Sequence, residues 1–258
     1  MYWHLNGMDV KQEKHVYRFG LIGKNIEYSF SRAYFKKKFE AEGLQHSYEN
    51  FDLETIDEFT ELIKQNQNLK GMNVTIPYKE AIIPFLDKLN KRAKKIGAVN
   101  TIKITKKGTL IGFNTDCYGF TKSIKPLLKA HHKNALILGT GGASKAIAYS
   151  LKELNIKFNY VSRRESNSSH FTYNDLNETI ISKHQIIINC TPLGTHPNTN
   201  QCPDIPYDAI SNEHLLFDLI YNPEATKFLT IGKLRGAKIC NGLEMLGLQA
   251  EKAWEIWN

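Results

Sequence analysis

Three short stretches of this 258-residue chain combine residue types that chemistry needs. The first is Gly71-Met72-Asn73-Val74-Thr75-Ile76-Pro77-Tyr78-Lys79. It reads as a strand running straight into a helix, with Met72 and Val74 on one face and Asn73 and Thr75 on the other. Pro77 suits the first helical position, where its missing N–H is not needed. Lys79 then lies in the first turn, where the positive end of the helix dipole disfavours an ammonium, and a lysine so placed is a candidate proton donor and acceptor. The second stretch is Gly139-Thr140-Gly141-Gly142-Ala143-Ser144, which follows an apolar strand and opens a helix. Its glycines let the backbone turn tightly and approach a pyrophosphate, whose charge faces the helix N-terminus. The third, Ser162-Arg163-Arg164, closes the next strand. An NAD-binding unit ends that strand in an acidic residue that holds the ribose hydroxyls; here two guanidinium groups stand where a 2′-phosphate would lie. The expected cofactor is therefore NADP rather than NAD.

These residues need elements to carry them. A first apolar strand is predicted over 17–23, then a loop over 24–28 and Ser29-Phe30-Ser31. A helix over 32–42 carries Ala33, Phe35 and Phe39 and stops at Gly43. Next come a strand over 46–51, a helix over 53–65 with Ile56, Phe59, Leu62 and Ile63 at helical spacing, the strand and helix of the first stretch, and a helix over 87–96 with Leu89, Ala93 and Ile96 on one face. This alternation implies a mainly parallel sheet. The pattern then changes: 99–105 and 109–113 read as a hairpin closed by Lys106-Lys107-Gly108, with Asn100 near one end and Asp116 just past the other. A helix over 118–130 leads to a strand over 135–138, followed by the glycine turn, a helix over 144–154 and a strand over 157–162. Later strands are predicted over 185–190, 215–219 and 238–240, with a helix over 224–235. The loop 194–206 is long and rich in Pro, Asn and Thr, which predicts mobility. An amphipathic last helix over 243–257 is placed to return to the first unit. The fold class is α/β in two domains: a mainly parallel substrate domain over 1–117, a Rossmann-like dinucleotide-binding domain over 118–240, and the returning helix in 241–258.

Composition narrows the class. Hydrophobic residues make up 41% of the chain, enough for a substantial core, and the apolar runs are too short to span a membrane. Residues 1–16 are mostly polar and lack the apolar core of a signal peptide. Four scattered cysteines without CxxC spacing read as free thiols of a cytoplasmic protein, and nine histidines form no ligand pattern, so no metal site is expected. The net charge of +8 is dispersed among acidic residues, without an arginine-rich arm or an RNA-binding aromatic motif. It suits a field that attracts small anions rather than a nucleic-acid surface.

Read in order, the motifs resemble those of the shikimate dehydrogenases over nearly the whole chain from Tyr17. They are Ser29-Phe30-Ser31, the stretch from Asn73 to Lys79, Gly97-Ala98-Val99-Asn100-Thr101, Gly112-Phe113-Asn114-Thr115-Asp116 and the glycine turn. Further on come Asn189-Cys190-Thr191-Pro192-Leu193-Gly194, Asp218-Leu219-Ile220-Tyr221-Asn222-Pro223, and Gly242-Leu243 through Met245-Leu246 to Gln249-Ala250. The resemblance implies the reversible NADPH-dependent reduction of 3-dehydroshikimate to shikimate, a step in chorismate and aromatic amino acid biosynthesis, by a monomer or homodimer. It implies that Lys79 and Asp116 form an acid–base pair, that Ser29 and Ser31 bind the substrate carboxylate, and that Thr75, Asn100, Gln249 and Tyr221 contact the small anionic substrate. It further implies that Gly139, Thr140, Gly141, Gly142, Ala143, Ser162, Arg163, Arg164, Thr191, Gly242 and Met245 meet the cofactor. Asn25, Tyr28, Arg32, Phe35 and Lys36 depart from the family pattern around the first loop, leaving both serines in place. Two other readings stay open: a dehydrogenase that also takes quinate, and a non-catalytic NADP-binding regulator on the same fold. Retention of Lys79, Asp116 and both serines argues against the regulator.

Overall fold

The computed structural model describes residues 16–27, 29–164 and 171–258. Residues 1–15, covering nearly all of the polar N-terminal stretch, and Tyr28 lie outside the described residues. Two six-stranded sheets follow one another along the chain. The first half runs β1 (Arg18–Gly23), α1 (Phe30–Ala41), β2 (Ser47–Asp52), α2 (Phe59–Gln65), β3 (Leu69–Val74), α3 (Tyr78–Ala81), β4 (Lys88–Leu89), α4 (Lys91–Ile96), β5 (Thr101–Ile104) and β6 (Leu110–Phe113). The second runs α5 (Asp116–Ile124), β7 (Asn134–Leu138), α6 (Gly142–Glu153), β8 (Lys157–Ser162), β9 (Phe171–Thr172), α7 (Glu178–Lys183), β10 (Ile186–Asn189), β11 (Leu215–Asp218), α8 (Lys227–Leu234), β12 (Lys238–Cys240) and α9 (Leu243–Trp257).

The first sheet has the order β2-β1-β3-β5-β6-β4. β1 pairs in parallel with β2 and β3, and the β5–β6 hairpin joins antiparallel to β3. Alternate side chains serve opposite faces, as strand geometry requires. Ile22, Met72 and Val74 pack with Phe59 and Leu62, while Phe19 and Leu21 pack with Phe35, Phe39 and Trp257. The predicted helix over 87–96 is shorter than expected. Lys88 and Leu89 pair in parallel with β6, and the Asn90 side chain accepts from the Arg92 N–H, so α4 begins at Lys91. The helix predicted from 53 is likewise split, its first turn being a 3₁₀ segment over Ile56–Glu58. α1 starts two residues early and buries Ser31, Phe35 and Phe39, leaving Ala33 exposed.

The second sheet is parallel throughout and has the order β12-β11-β10-β7-β8-β9. Counted from its own first strand this is 3-2-1-4-5-6, the order of a dinucleotide-binding Rossmann sheet, whose ligand crevice opens where the order reverses. Here that point lies between β7 and β10. β9 and α7 were not expected from the sequence, being only two and six residues long. In the loop 194–206, residues 196–198, 200 and 201 are exposed, while Ile205 is buried in the core beneath α8. Among the described residues no helix is long and apolar enough to cross a membrane.

α9 does return to the first sheet. Trp257, fully buried, donates its indole N–H to the Ile102 carbonyl at 2.9 Å and stacks on Phe19. Gly71 makes this possible, because a Cβ there would lie 2.2 Å from the indole ring. Truncation of Trp257 to Ala should therefore destabilise the protein by about 3–5 kcal/mol, read as a shift in the urea midpoint. A loss of under about 1 kcal/mol would mean that the helix does not hold the first sheet.

Candidate active site

The strand–helix stretch folds as predicted up to its end. Met72 and Val74 enter the core, whereas Asn73 and Thr75 line a cleft. Pro77 stands at the cap of α3 rather than inside it, so Lys79 is the second residue of a single four-residue turn. The Lys79 carbonyl accepts from the Val99 N–H at 2.7 Å, tying this turn to the segment that carries Asn100. Asp116 is the first residue of α5, not a residue ahead of a helix starting at 118, because α5 begins two residues earlier than predicted.

Lys79 Nζ and Asp116 Oδ2 lie 2.7 Å apart, with side chains 14% and 7% exposed. The second carboxylate oxygen accepts from Asn100 Nδ2 at 2.8 Å. That amide also faces Gln249 Oε1 at 3.2 Å and Thr115 Oγ1 at 3.0 Å, and its own oxygen accepts from the Thr115 N–H at 2.7 Å. With every polar atom of Asn100 engaged, the amide cannot flip without breaking several bonds at once. The carboxylate is thus held on both oxygens and aimed at the ammonium.

Of these five residues, Lys79, Asn100, Asp116 and Gln249 open on a cleft of about 390 Å³. Ser29, Ser31, Thr75 and Tyr221 line it as well, so all eight predicted substrate contacts share one cavity. Ser29 stands at the N-cap of α1 and Ser31 lies buried in its first turn. Tyr221 comes from the second half of the chain and meets Phe30 edge-on at 5.6 Å. Phe30, Asn25 and Leu246 also line this cleft without having been assigned a role. Phe30 could have been found, as the residue between two serines of a helix start.

A second cleft of about 550 Å³ lies at the switch point of the second sheet. Gly139, Thr140, Gly141, Gly142 and Ala143 line it, as do Ser162, Arg163 and Thr191. The first N–H groups of α6 have no intrahelical acceptor and face this cleft's glycine wall. Gly139 adopts φ +103°, a conformation only glycine takes readily. A Cβ on Gly142 would lie 3.0 Å from the Lys79 Cβ, so that glycine also lets α6 abut the catalytic candidate. The wall offers backbone donors, an exposed guanidinium and no carboxylate at the end of β8, a donor set that fits a phosphorylated dinucleotide. Arg164, Gly242 and Met245 do not line the cleft. Arg164 is exposed, Gly242 packs against the Leu219 carbonyl, and Met245 is 7% exposed in the core. Tyr173 and Glu80, which do line it, gave no sequence signal. Among the described residues no group of three or more His, Cys, Asp or Glu side chains could hold a metal ion.

Beneath both clefts, Asn189 and Asp218 are fully buried partners across β10 and β11. Asp218 accepts from Thr226 Oγ1 at 2.7 Å, from the Ile220 N–H at 3.0 Å and from Asn189 Nδ2 at 3.1 Å. Burial outweighs these donors and pushes its carboxyl up to about 6.

Known proteins resemble this chain over most of its length. Residues 21–102 match the shikimate dehydrogenase substrate binding domain. A curated NADP(+) shikimate dehydrogenase of Clostridium beijerinckii is 40% identical over 251 residues, covering 93% of this chain and 91% of that protein. Its counterpart from Methanosphaera stadtmanae is 38% identical over 256 residues, covering 92% and 90%. A crystal structure of shikimate 5-dehydrogenase from Thermus thermophilus, in complex with NADP(H) and shikimate, superposes with a TM-score of 0.83 at 30% identity, covering 94% of this chain and 93% of that one.

The raised Asp218 carboxyl gives a signed expectation. The fold binds that proton more tightly than the unfolded chain, whose carboxyl titrates near about 3.9. The penalty for ionising it in the fold is complete above pH about 6 and fades as the pH falls towards 4. Relative to Asp218→Asn, which cannot titrate, the wild type should gain about 2 kcal/mol in urea unfolding free energy between pH 7 and pH 4.5. Parallel pH profiles for the two proteins would contradict this.

Proposed function

The chain belongs to the shikimate dehydrogenase family, and we propose that it catalyses the reversible NADPH-dependent reduction of 3-dehydroshikimate to shikimate, with Lys79 and Asp116 as its acid–base pair. The observation that carries this reading is the place of Lys79. Among the described residues it is the one that lines both the polar cleft and the glycine-walled cleft.

NADPH supplies a hydride to the substrate carbonyl carbon when bound. Lys79 gives a proton to the carbonyl oxygen as that oxygen becomes a hydroxyl, and it regains the proton from solvent. Asp116 holds the ammonium in place and accepts a hydrogen bond from the same hydroxyl. Asn100 and Gln249, already bonded to one another, orient the neighbouring ring hydroxyls together with Thr75. Ser29 and Ser31 donate to the ring carboxylate, and Tyr221 closes the cleft from the other side. In the second cleft the α6 N-terminus would hold the pyrophosphate and Arg163 the 2′-phosphate, with Thr191 lining the same cleft. The substrate lobe spans 1–117 and the cofactor lobe 118–240. A monomer or homodimer working in the cytoplasm completes the reading, and the four cysteines are all free thiols.

The test is NADPH oxidation with 3-dehydroshikimate, with NADH run beside it. NADPH should be preferred by about 10-fold or more in kcat/KM, and Arg163→Ala should raise the NADPH KM about 10–100-fold while leaving the NADH KM unchanged. Equal efficiency with NADH in the wild type would overturn the cofactor assignment. Absence of turnover with either nucleotide would overturn the function.

A further inference from the structure

Asn189 and Asp218 belong to neither cleft, yet each reaches one. On the cofactor side, Asn189 Oδ1 accepts from both the N–H and the hydroxyl of Thr191, at 3.0 and 2.7 Å. The Thr191 hydroxyl in turn accepts from the Leu193 N–H at 3.3 Å. On the substrate side, Asp218 Oδ1 accepts from the N–H of Ile220, the residue before Tyr221. The same oxygen accepts from Asn189 Nδ2 at 3.1 Å, and Thr226 fixes the other oxygen at the start of α8. The Leu219 N–H adds a backbone bond to the Asn189 carbonyl at 3.0 Å.

The amide of Asn189 is therefore used at both ends. If Thr191 shifts and Asn189 turns to follow it, the bond to Asp218 breaks at a place closed to bulk solvent. An unsatisfied buried donor or acceptor is expensive, so the two residues are constrained to move together. Tyr221 lies at the end of this connection, packed edge-on to Phe30 between Ser29 and Ser31. We propose that Asn189 and Asp218 are positioning residues that couple the clefts, so that occupation of the cofactor side sets Tyr221 for the substrate. The identity of the two ligands rests on the function proposed above; the coupling itself rests on the hydrogen bonds.

The experiment measures shikimate affinity by calorimetry with and without saturating NADPH. Both ligands are the reduced partners, so no turnover intervenes. In the wild type, NADPH should tighten shikimate binding about 5-fold or more. Asn189→Leu is close in size and loses both the acceptor for Thr191 and the donor to Asp218, so it should bring the ratio close to one; Asn189→Ala should do the same. Thr191→Val, by contrast, should weaken NADPH without altering shikimate binding to the free enzyme, a split that general loosening of the fold would not produce. A wild-type ratio of one, or an unchanged ratio in a folded Asn189→Leu or Asn189→Ala protein, overturns the coupling. Failure of the wild type to bind either ligand alone overturns the functional reading and the coupling with it.

Discussion

An ammonium and a carboxylate, both largely withdrawn from water, face each other 2.7 Å apart at Lys79 and Asp116. Such a pair contributes little to stability, because desolvating two ions offsets most of their attraction. Its geometry must then be imposed by the surroundings, and four distant segments impose it. Lys79 comes from the turn after β3, Asn100 from the start of the hairpin, Asp116 from the first residue of α5, and Gln249 from the C-terminal helix. Removing Lys79 or Asn100 leaves one oxygen of the buried Asp116 carboxylate without its partner. The return of α9, anchored by Trp257 in the first sheet, is thus a requirement of the site as much as of the core.

The second constraint is where the parallel sheet reverses. Strand order places the ends of β7 and β10 side by side, and the crevice between them is where any dinucleotide would lie. The glycine turn does two things at that edge. It opens the wall to phosphate, and at Gly142 it lets α6 come within side-chain contact of Lys79. The two clefts consequently meet at one lysine rather than lying apart.

Much of this was legible in the residues. The stretch from Gly71 to Lys79, the glycine turn and Arg163 each carry a local chemical reason for their form, and each lines one of the two clefts, whereas Arg164 does not. Element edges were less legible, because they depend on partners. Lys88 and Leu89 follow a helical spacing but pair with β6, and Asp116 joins α5 because its backbone continues the turn begun at Thr115. Long-range polar contacts were legible only where the family resemblance implied them, as for Lys79 with Asp116. Nothing local marks Gln249 as a neighbour of Asn100, which lies 149 residues away. Asn189 and Asp218 stood inside recognisable motifs without a role, although a polar residue ending a wholly apolar strand is itself a signal of a buried network. Met245 and Gly242 were suggested by resemblance alone; Met245 is buried in the core and Gly242 lies against the backbone of Leu219.

In the proposed reaction, Lys79 carries the proton. Lys79→Ala, assayed for turnover and for shikimate binding on the same preparation, tests that role most directly. Loss of about 10²–10⁴-fold in kcat with shikimate affinity held within about 10-fold is the expected result. A variant that turned over at close to the wild-type rate would contradict it.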